Sequence, residues 1–138
     1  MIEDLSAELG ADRSLLLVDD DEPFVKRLAK AMEKRGFIPE TAESVAAGKA
    51  IAQARPPAYA VVDLRLEDGN GLDVVEVLRE RRPDCRIVVL TGYGAIATAV
   101  AAVKIGAVDY LSKPADANDV MNALLAKGGN LPEPAENP

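Results

Sequence analysis

The chain has 138 residues, 49% hydrophobic and 28% charged, enough to bury one core unaided as a single domain. Sixteen basic residues against 23 acidic ones give a net charge of -7 and a pI near 4.6, which opposes nucleic-acid binding by this chain. A single cysteine, Cys85, and no histidine rule out an internal disulfide and the usual zinc ligand sets. No apolar stretch approaches the roughly 20 residues of a membrane span, and the acidic start MIEDLSAELG is unlike a signal peptide, so the expected location is the cytoplasm.

The first expected strand is SLLLV at 14–18, which ends in DDDEP and passes into the helical stretch FVKRLAKAMEKRG. There Val25, Leu28, Ala29 and Met32 recur at helical spacing, Pro23 suits a first turn and Gly36 a C-terminal cap. FIPET at 37–41 is a brief second strand. Pro39 lacks an amide donor and so suits a sheet edge. Ser44 can cap an alanine-rich helix through Ala54, stopped by the RPP at 55–57. YAVVD at 59–63 is a third strand, EDGNG a turn-rich loop, and LDVVEVLRERR a helix presenting Leu72, Val75 and Leu78 on one side. RIVVL at 86–90, the helical AIATAVAAVKIG ended by Gly106, VDYLS at 108–112 and a helix over 116–126 complete five strand-helix units.

Such alternation implies a parallel sheet covered by helices on both faces, because parallel strands need crossover connections. The expected fold class is therefore α/β, a flavodoxin-like doubly wound five-stranded parallel sheet of (βα)5 type. In these sheets the ligand site lies beyond the carboxyl ends of the strands, near the point where strand order reverses. The residues at those ends are Asp19, Asp20 and Asp21 after the first strand, Asp63 at the third, Thr91 after the fourth and Lys113 after the fifth.

Taken singly, each acid is more often a helix cap or a solvated loop charge. Together they form one chemical set. Carboxylates at close range repel unless a cation neutralises them, and their hard oxygens suit Mg2+. Lys113 and Thr91 supply an ammonium and a hydroxyl, the donors that a phosphoryl group needs on its oxygens. Asp63, a charge closing a buried strand, is then the candidate phosphoryl acceptor.

LLLVDDDEPF, VVDLRLEDGNGLDVV, VVLTGYG and DYLSKP resemble the receiver domain of two-component response regulators, over Ser14 to about Lys127. VDDDEPFVKRLAKAMEKRGF is similar in particular to the RegA/PrrA/ActR group of proteobacterial redox-responsive regulators. The resemblance implies that Asp63 accepts a phosphoryl group from a histidine kinase. It implies that Asp20 and Asp63 ligate Mg2+ directly, that Asp19 helps through water and that Arg65 contributes its backbone carbonyl. Thr91 and Lys113 would hold the phosphoryl oxygens, with Thr91 and Tyr110 as switch residues. The face of the fourth helix, fifth strand and fifth helix would serve partner contacts, a phosphorylation-dependent homodimer among them. Asp21 is expected to start a helix.

The resemblance also divides the chain into an N-terminal extension (1–13), a receiver (14–127) and a linker-like tail (128–138), GGNLPEPAENP being typical linker chemistry. DNA binding would belong to an output domain absent from this chain. The alternative is a stand-alone receiver that acts by docking on another protein. Ala115 stands where an aromatic is frequent. Arg65 and Tyr93, two residues beyond Asp63 and Thr91, predict slow loss of the phosphoryl group through shielding from water. A magnesium-dependent phosphohydrolase would need a second acid where Arg65 stands. A flavodoxin-like nucleotide binder would need a Gly-rich loop where DDDEP stands.

Overall fold

The computed structural model describes residues 12–92 and 96–126. The strands are β1 (Ser14–Val18), β2 (Ile38–Ala42), β3 (Tyr59–Asp63), β4 (Arg86–Thr91) and β5 (Asp109–Ser112). The helices are α1 (Glu22–Lys34), α2 (Val45–Ala54), α3 (Leu72–Arg81), α4 (Ile96–Lys104) and α5 (Ala117–Leu125). All strand pairs of the main sheet are parallel, in the spatial order β2-β1-β3-β4-β5. The order reverses between β1 and β3, which puts the switch point beside Asp19 and Asp63.

Alternate side chains of the central strands feed two separate cores, because successive residues of a strand point to opposite faces. Leu16, Val18, Ala60, Val62, Ile87 and Val89 meet Val45, Ala52, Val74, Val75, Leu78, Ala99 and Ala102 from α2, α3 and α4. Leu15, Leu17, Tyr59, Val61, Val88 and Leu90 meet Val25, Leu28, Met32, Val120, Ala123 and Leu124 from α1 and α5. Phe37 and Tyr59 pack edge to face there, with ring centroids 5.2 Å apart, a favoured aromatic geometry.

The expected caps are present. Asp21 accepts the Phe24 N–H and starts α1, with Pro23 in its first turn. Ser44 accepts the Ala47 N–H at the start of α2, and Asp116 accepts the Asp119 N–H at the start of α5. Gly36 and Gly106 follow α1 and α4 at φ 101° and 129°. In each case the next amide reaches back to close the last turn, Phe37 N–H to Met32 O and Ala107 N–H to Ala102 O, the usual glycine-terminated helix end. β2 is an edge strand, as Pro39 suggested, and carries the 59% exposed Ile38.

Leu72, Val75 and Leu78 of α3 pack against one core as expected, and Val74 joins them fully buried, because the helix packs between the sheet and α2. Two expectations need correction. EDGNG is not merely a loop: Arg65–Leu66 pairs antiparallel with Gly69–Asn70 in a two-stranded hairpin. The edge strands begin one residue later than expected, at Ile38 and Asp109, and β2 runs on to Ala42. Residues 1–11 of the N-terminal extension, Lys127 and the tail from 128 lie outside the described residues.

Candidate functional site: an acidic pocket with one lysine

Asp63 closes β3, paired in register with Leu90 of β4, and is only 4% exposed. Its carboxylate is held at both oxygens. Oδ1 accepts the Arg65 N–H at 3.0 Å, and Oδ2 accepts from Lys113 Nζ at 3.1 Å. Two backbone bonds fix the approach, Leu64 N–H to Leu90 O and Gly71 N–H to Leu64 O, both 3.0 Å. Gly71 is there for space: a Cβ would stand 2.2 Å from the Asp63 carbonyl oxygen.

Asp19, just beyond β1, is 2% exposed. Its N–H donates to Ala42 O at 3.0 Å. Its Oδ1 accepts the Asp21 N–H at 2.9 Å, and its Oδ2 accepts from Lys113 Nζ at 3.0 Å. Asp20 is half-buried and its Oδ2 accepts the Glu67 N–H at 3.0 Å. Asp19, Asp20 and Asp63 each present an oxygen, and these oxygens all lie within 4.8 Å of one another. Lys113 bridges two of the three acids and rests over the Phe24 ring, with Nζ 5.1 Å from its centroid, within cation–π range.

The electrostatics follow from burial. Desolvation pushes the Asp19 carboxyl up to about 6; the charge of Asp63 adds to this, while the Asp21 amide and Lys113 act against it. Burial alone would lower Lys113, but its hydrogen bonds to Asp19 and Asp63 and their charges outweigh it, and its pKa lies above the ordinary lysine value. One ammonium for three carboxylates leaves the pocket short of positive charge. An all-oxygen donor set at this spacing fits a hard divalent cation, Mg2+ or Ca2+, rather than zinc.

Thr91 ends β4, is 1% exposed, and its carbonyl accepts the Lys113 N–H at 2.9 Å. That bond ties the fourth strand end to the fifth. Tyr110, half-buried on β5, lies on the sheet face covered by α4, while its neighbour Leu111 lies on the face of α1 and α5. The fold thus brings Asp19, Asp20, Asp63, Thr91 and Lys113 to one sheet edge, with Arg65 adjoining through its amide. The Arg65 side chain is exposed. Tyr93 lies outside the described residues. Asp21 takes no part in the pocket except through its amide. Sequence reasoning missed Phe24, Asp68 and Gly71. The glycine had a signal in DGNG, whereas the other two act through contacts that span the fold.

Comparison with known proteins gives the family. Residues 15–125 match the response regulator receiver domain, so the chain belongs to the response regulator receiver family. It is 88% identical over 138 residues, all of this chain and 75% of the relative, to the photosynthetic apparatus regulatory protein RegA of Cereibacter sphaeroides. It is 63% identical over 130 residues, 94% of this chain and 67% of the relative, to the acid tolerance regulatory protein ActR of Rhizobium meliloti. The chain is accordingly a receiver of the RegA/PrrA/ActR kind. Among solved structures, a response regulator from Burkholderia pseudomallei with a phosphorylated aspartic acid, calcium ion and citrate matches at 40% identity. Its TM-score is 0.79, over 85% of this chain and 69% of that one. No helix among the described residues is long and apolar enough to cross a membrane.

Proposed function

We propose that Asp63 accepts a phosphoryl group from the phosphohistidine of a histidine kinase, with Mg2+ held by Asp20 and Asp63 directly, by Asp19 through water, and by the Arg65 carbonyl. The observation that carries this reading is the Asp63 carboxylate, buried at a strand end, with Lys113 Nζ at 3.1 Å and two more carboxylates beside it. The metal, when bound, would supply charge neutralisation for the clustered carboxylates and offset negative charge on the incoming group.

The residues of the chain do the rest. An Asp63 oxygen attacks phosphorus as the P–N bond to the kinase imidazole breaks, and the imidazole leaves with the bonding pair and takes up a proton. Lys113, already aimed at Asp63, donates to a phosphoryl oxygen, and the Thr91 hydroxyl donates to another. Drawing Thr91 inward biases a two-state arrangement in which Tyr110 moves on the α4-side face, so that α4, β5 and α5 present a changed surface for a partner or a second copy.

Slow hydrolysis belongs to the same reading. Arg65 would pair with phosphoryl oxygens and the Tyr93 ring would occupy the path of the water, and Arg65→Asn with Tyr93→Glu would shorten the lifetime about tenfold, or about 1.4 kcal/mol of barrier. The named relatives are regulatory proteins, which supports a DNA-binding output domain controlled by this receiver over the stand-alone docking alternative. The test is acetyl phosphate with Mg2+, followed by intact mass. One added phosphoryl group is expected, abolished in Asp63→Asn, and undiminished labelling in that variant would sink the assignment.

A further inference from the structure

The turn of the small hairpin is pinned at both of its central residues. The Glu67 N–H donates to Asp20 Oδ2 at 3.0 Å. The next residue, Asp68, turns its carboxylate the other way and accepts two N–H bonds from the start of α2, Val45 at 2.8 Å and Ala46 at 3.1 Å. These partners lie 23 and 22 residues away in sequence. α2 already has its own cap, since Ser44 Oγ accepts the Ala47 N–H at 3.0 Å. The Asp68 bonds therefore satisfy the first two amides of the helix and moor the hairpin to it at the same time.

At its other end the same hairpin donates the Arg65 N–H to Asp63 Oδ1 at 3.0 Å. One short segment thus orients two of the three pocket carboxylates through backbone amides; Leu66 seats it in the core and Asp68 ties its turn to α2.

We infer that Asp68 is a positioning residue for Asp20, acting through the Glu67 amide, and this rests on the magnesium reading above. A carboxylate that must present one oxygen to a cation needs its other oxygen fixed, and outer donors to metal ligands commonly govern affinity. With Asp68 removed, the hairpin tip loses its anchor, the Glu67 N–H drifts from Asp20, and the carboxylate gains rotational freedom. The fold stays closed because the buried cores do not include Asp68.

The discriminating experiment compares two variants that both remove capping bonds from α2. Asp68→Ala frees the hairpin, whereas Ser44→Ala weakens the helix end without touching it. Mg2+ titration by calorimetry on the whole chain should show about tenfold weaker binding in Asp68→Ala and unchanged binding in Ser44→Ala, with the Glu67 amide shift displaced only in the former. Asp68→Asn keeps one acceptor for Val45 and should fall between, which preserves the test if the alanine variant folds poorly. Mg2+ binding in Asp68→Ala as tight as in the parent, or an equal loss in Ser44→Ala, overturns the inference while leaving the magnesium reading standing, provided Asp20→Asn still loses the ion. A parent protein that takes up no Mg2+ overturns the magnesium reading, and this inference with it.

Discussion

The Lys113 ammonium stands 3.1 Å from Asp63 Oδ2, joining residues 50 apart in sequence, and it is equally engaged with Asp19 at 3.0 Å. Both carboxylates are almost wholly buried while the lysine side chain is 24% exposed. The cation thus reaches in from the rim to two buried carboxylates. Removing one member of a buried pair costs more than the pair itself contributes, because the partner charge is left stranded.

Lys113→Met should therefore destabilise the chelator-treated protein by about 2 kcal/mol, less than a fully buried pair would lose because the lysine is partly solvated. Mg2+ should restore part of that loss, since a divalent cation neutralises the same two acids. Urea unfolding with and without Mg2+ reads both quantities, and a variant as stable as the parent in chelator would show that the acids find another partner.

Asp19 gives the pH dependence. Its carboxyl is held at about 6, chiefly by burial, against 3.8 for an ordinary aspartate. The folded state keeps this proton to higher pH than the unfolded state does. The contribution is therefore fully present below about 4 and is lost as pH rises through about 6. Asp12 runs the other way. Its hydrogen bonds from Ser14, with the Arg82 side chain adding, hold it down to about 2, so its contribution is present above 3.8 and is lost as pH falls toward 2. In chelator, stability should rise by on the order of 1 kcal/mol between pH 7 and 5 and turn down below pH 4. With saturating Mg2+ the rise should vanish, because the cation then occupies the place of the proton.

What the sequence disclosed, and what it withheld, has a physical pattern. Asp19, Asp63, Thr91 and Lys113 were legible because each interrupts an apolar run at a strand end, and the parallel sheet follows from helices alternating with such runs. The two faces of the central strands were not legible: when both sides are buried, Leu15 to Val18 read as one apolar block and the alternation of partners leaves no trace. Val74 escaped for a related reason, since a helix wedged between the sheet and a neighbouring helix buries a wider arc than one face. Phe24 beneath Lys113 and Asp68 upon α2 are contacts made across the fold, and their local sequence carries only turn and helix chemistry.

Cys85 is the one thiol of the chain, 3% exposed, with its pKa pushed up to about 12 by burial. Thiolate is the reactive form, and a buried thiol so poised is inert at neutral pH. Native protein at pH 7 should resist iodoacetamide and be fully alkylated once unfolded in urea. The Cys85 thiol would then take no part in chemistry while the domain is folded. Rapid alkylation of the folded protein, read by intact mass, would reverse that conclusion.

Gly71 couples backbone packing to Asp63 directly. Its φ of -61° is open to any residue, so conformational freedom is not the reason for glycine. Space is: an added Cβ would meet the Asp63 carbonyl oxygen at 2.2 Å, its carbon at 3.0 Å and Val62 Cγ1 at 2.9 Å. Two of these atoms are backbone and cannot swing aside, so Gly71→Ala must push α3 away from β3. The Gly71 N–H to Leu64 O bond would stretch with it, and the turn that carries the Arg65 amide to Asp63 would shift. Overpacking of this kind costs about 1–3 kcal/mol. The variant should lose stability in that range and, when folded at low temperature, accept phosphoryl groups from acetyl phosphate more slowly than the parent. Gly48→Ala supplies the comparison. There the contacts are side-chain methyls of Val18 and Val74 at 3.2 Å, which can give way without pressing on the Asp63 backbone, so stability should fall without a matching loss of phosphorylation rate. Equal rates in Gly71→Ala and the parent would show that the α3 start does not position the acceptor.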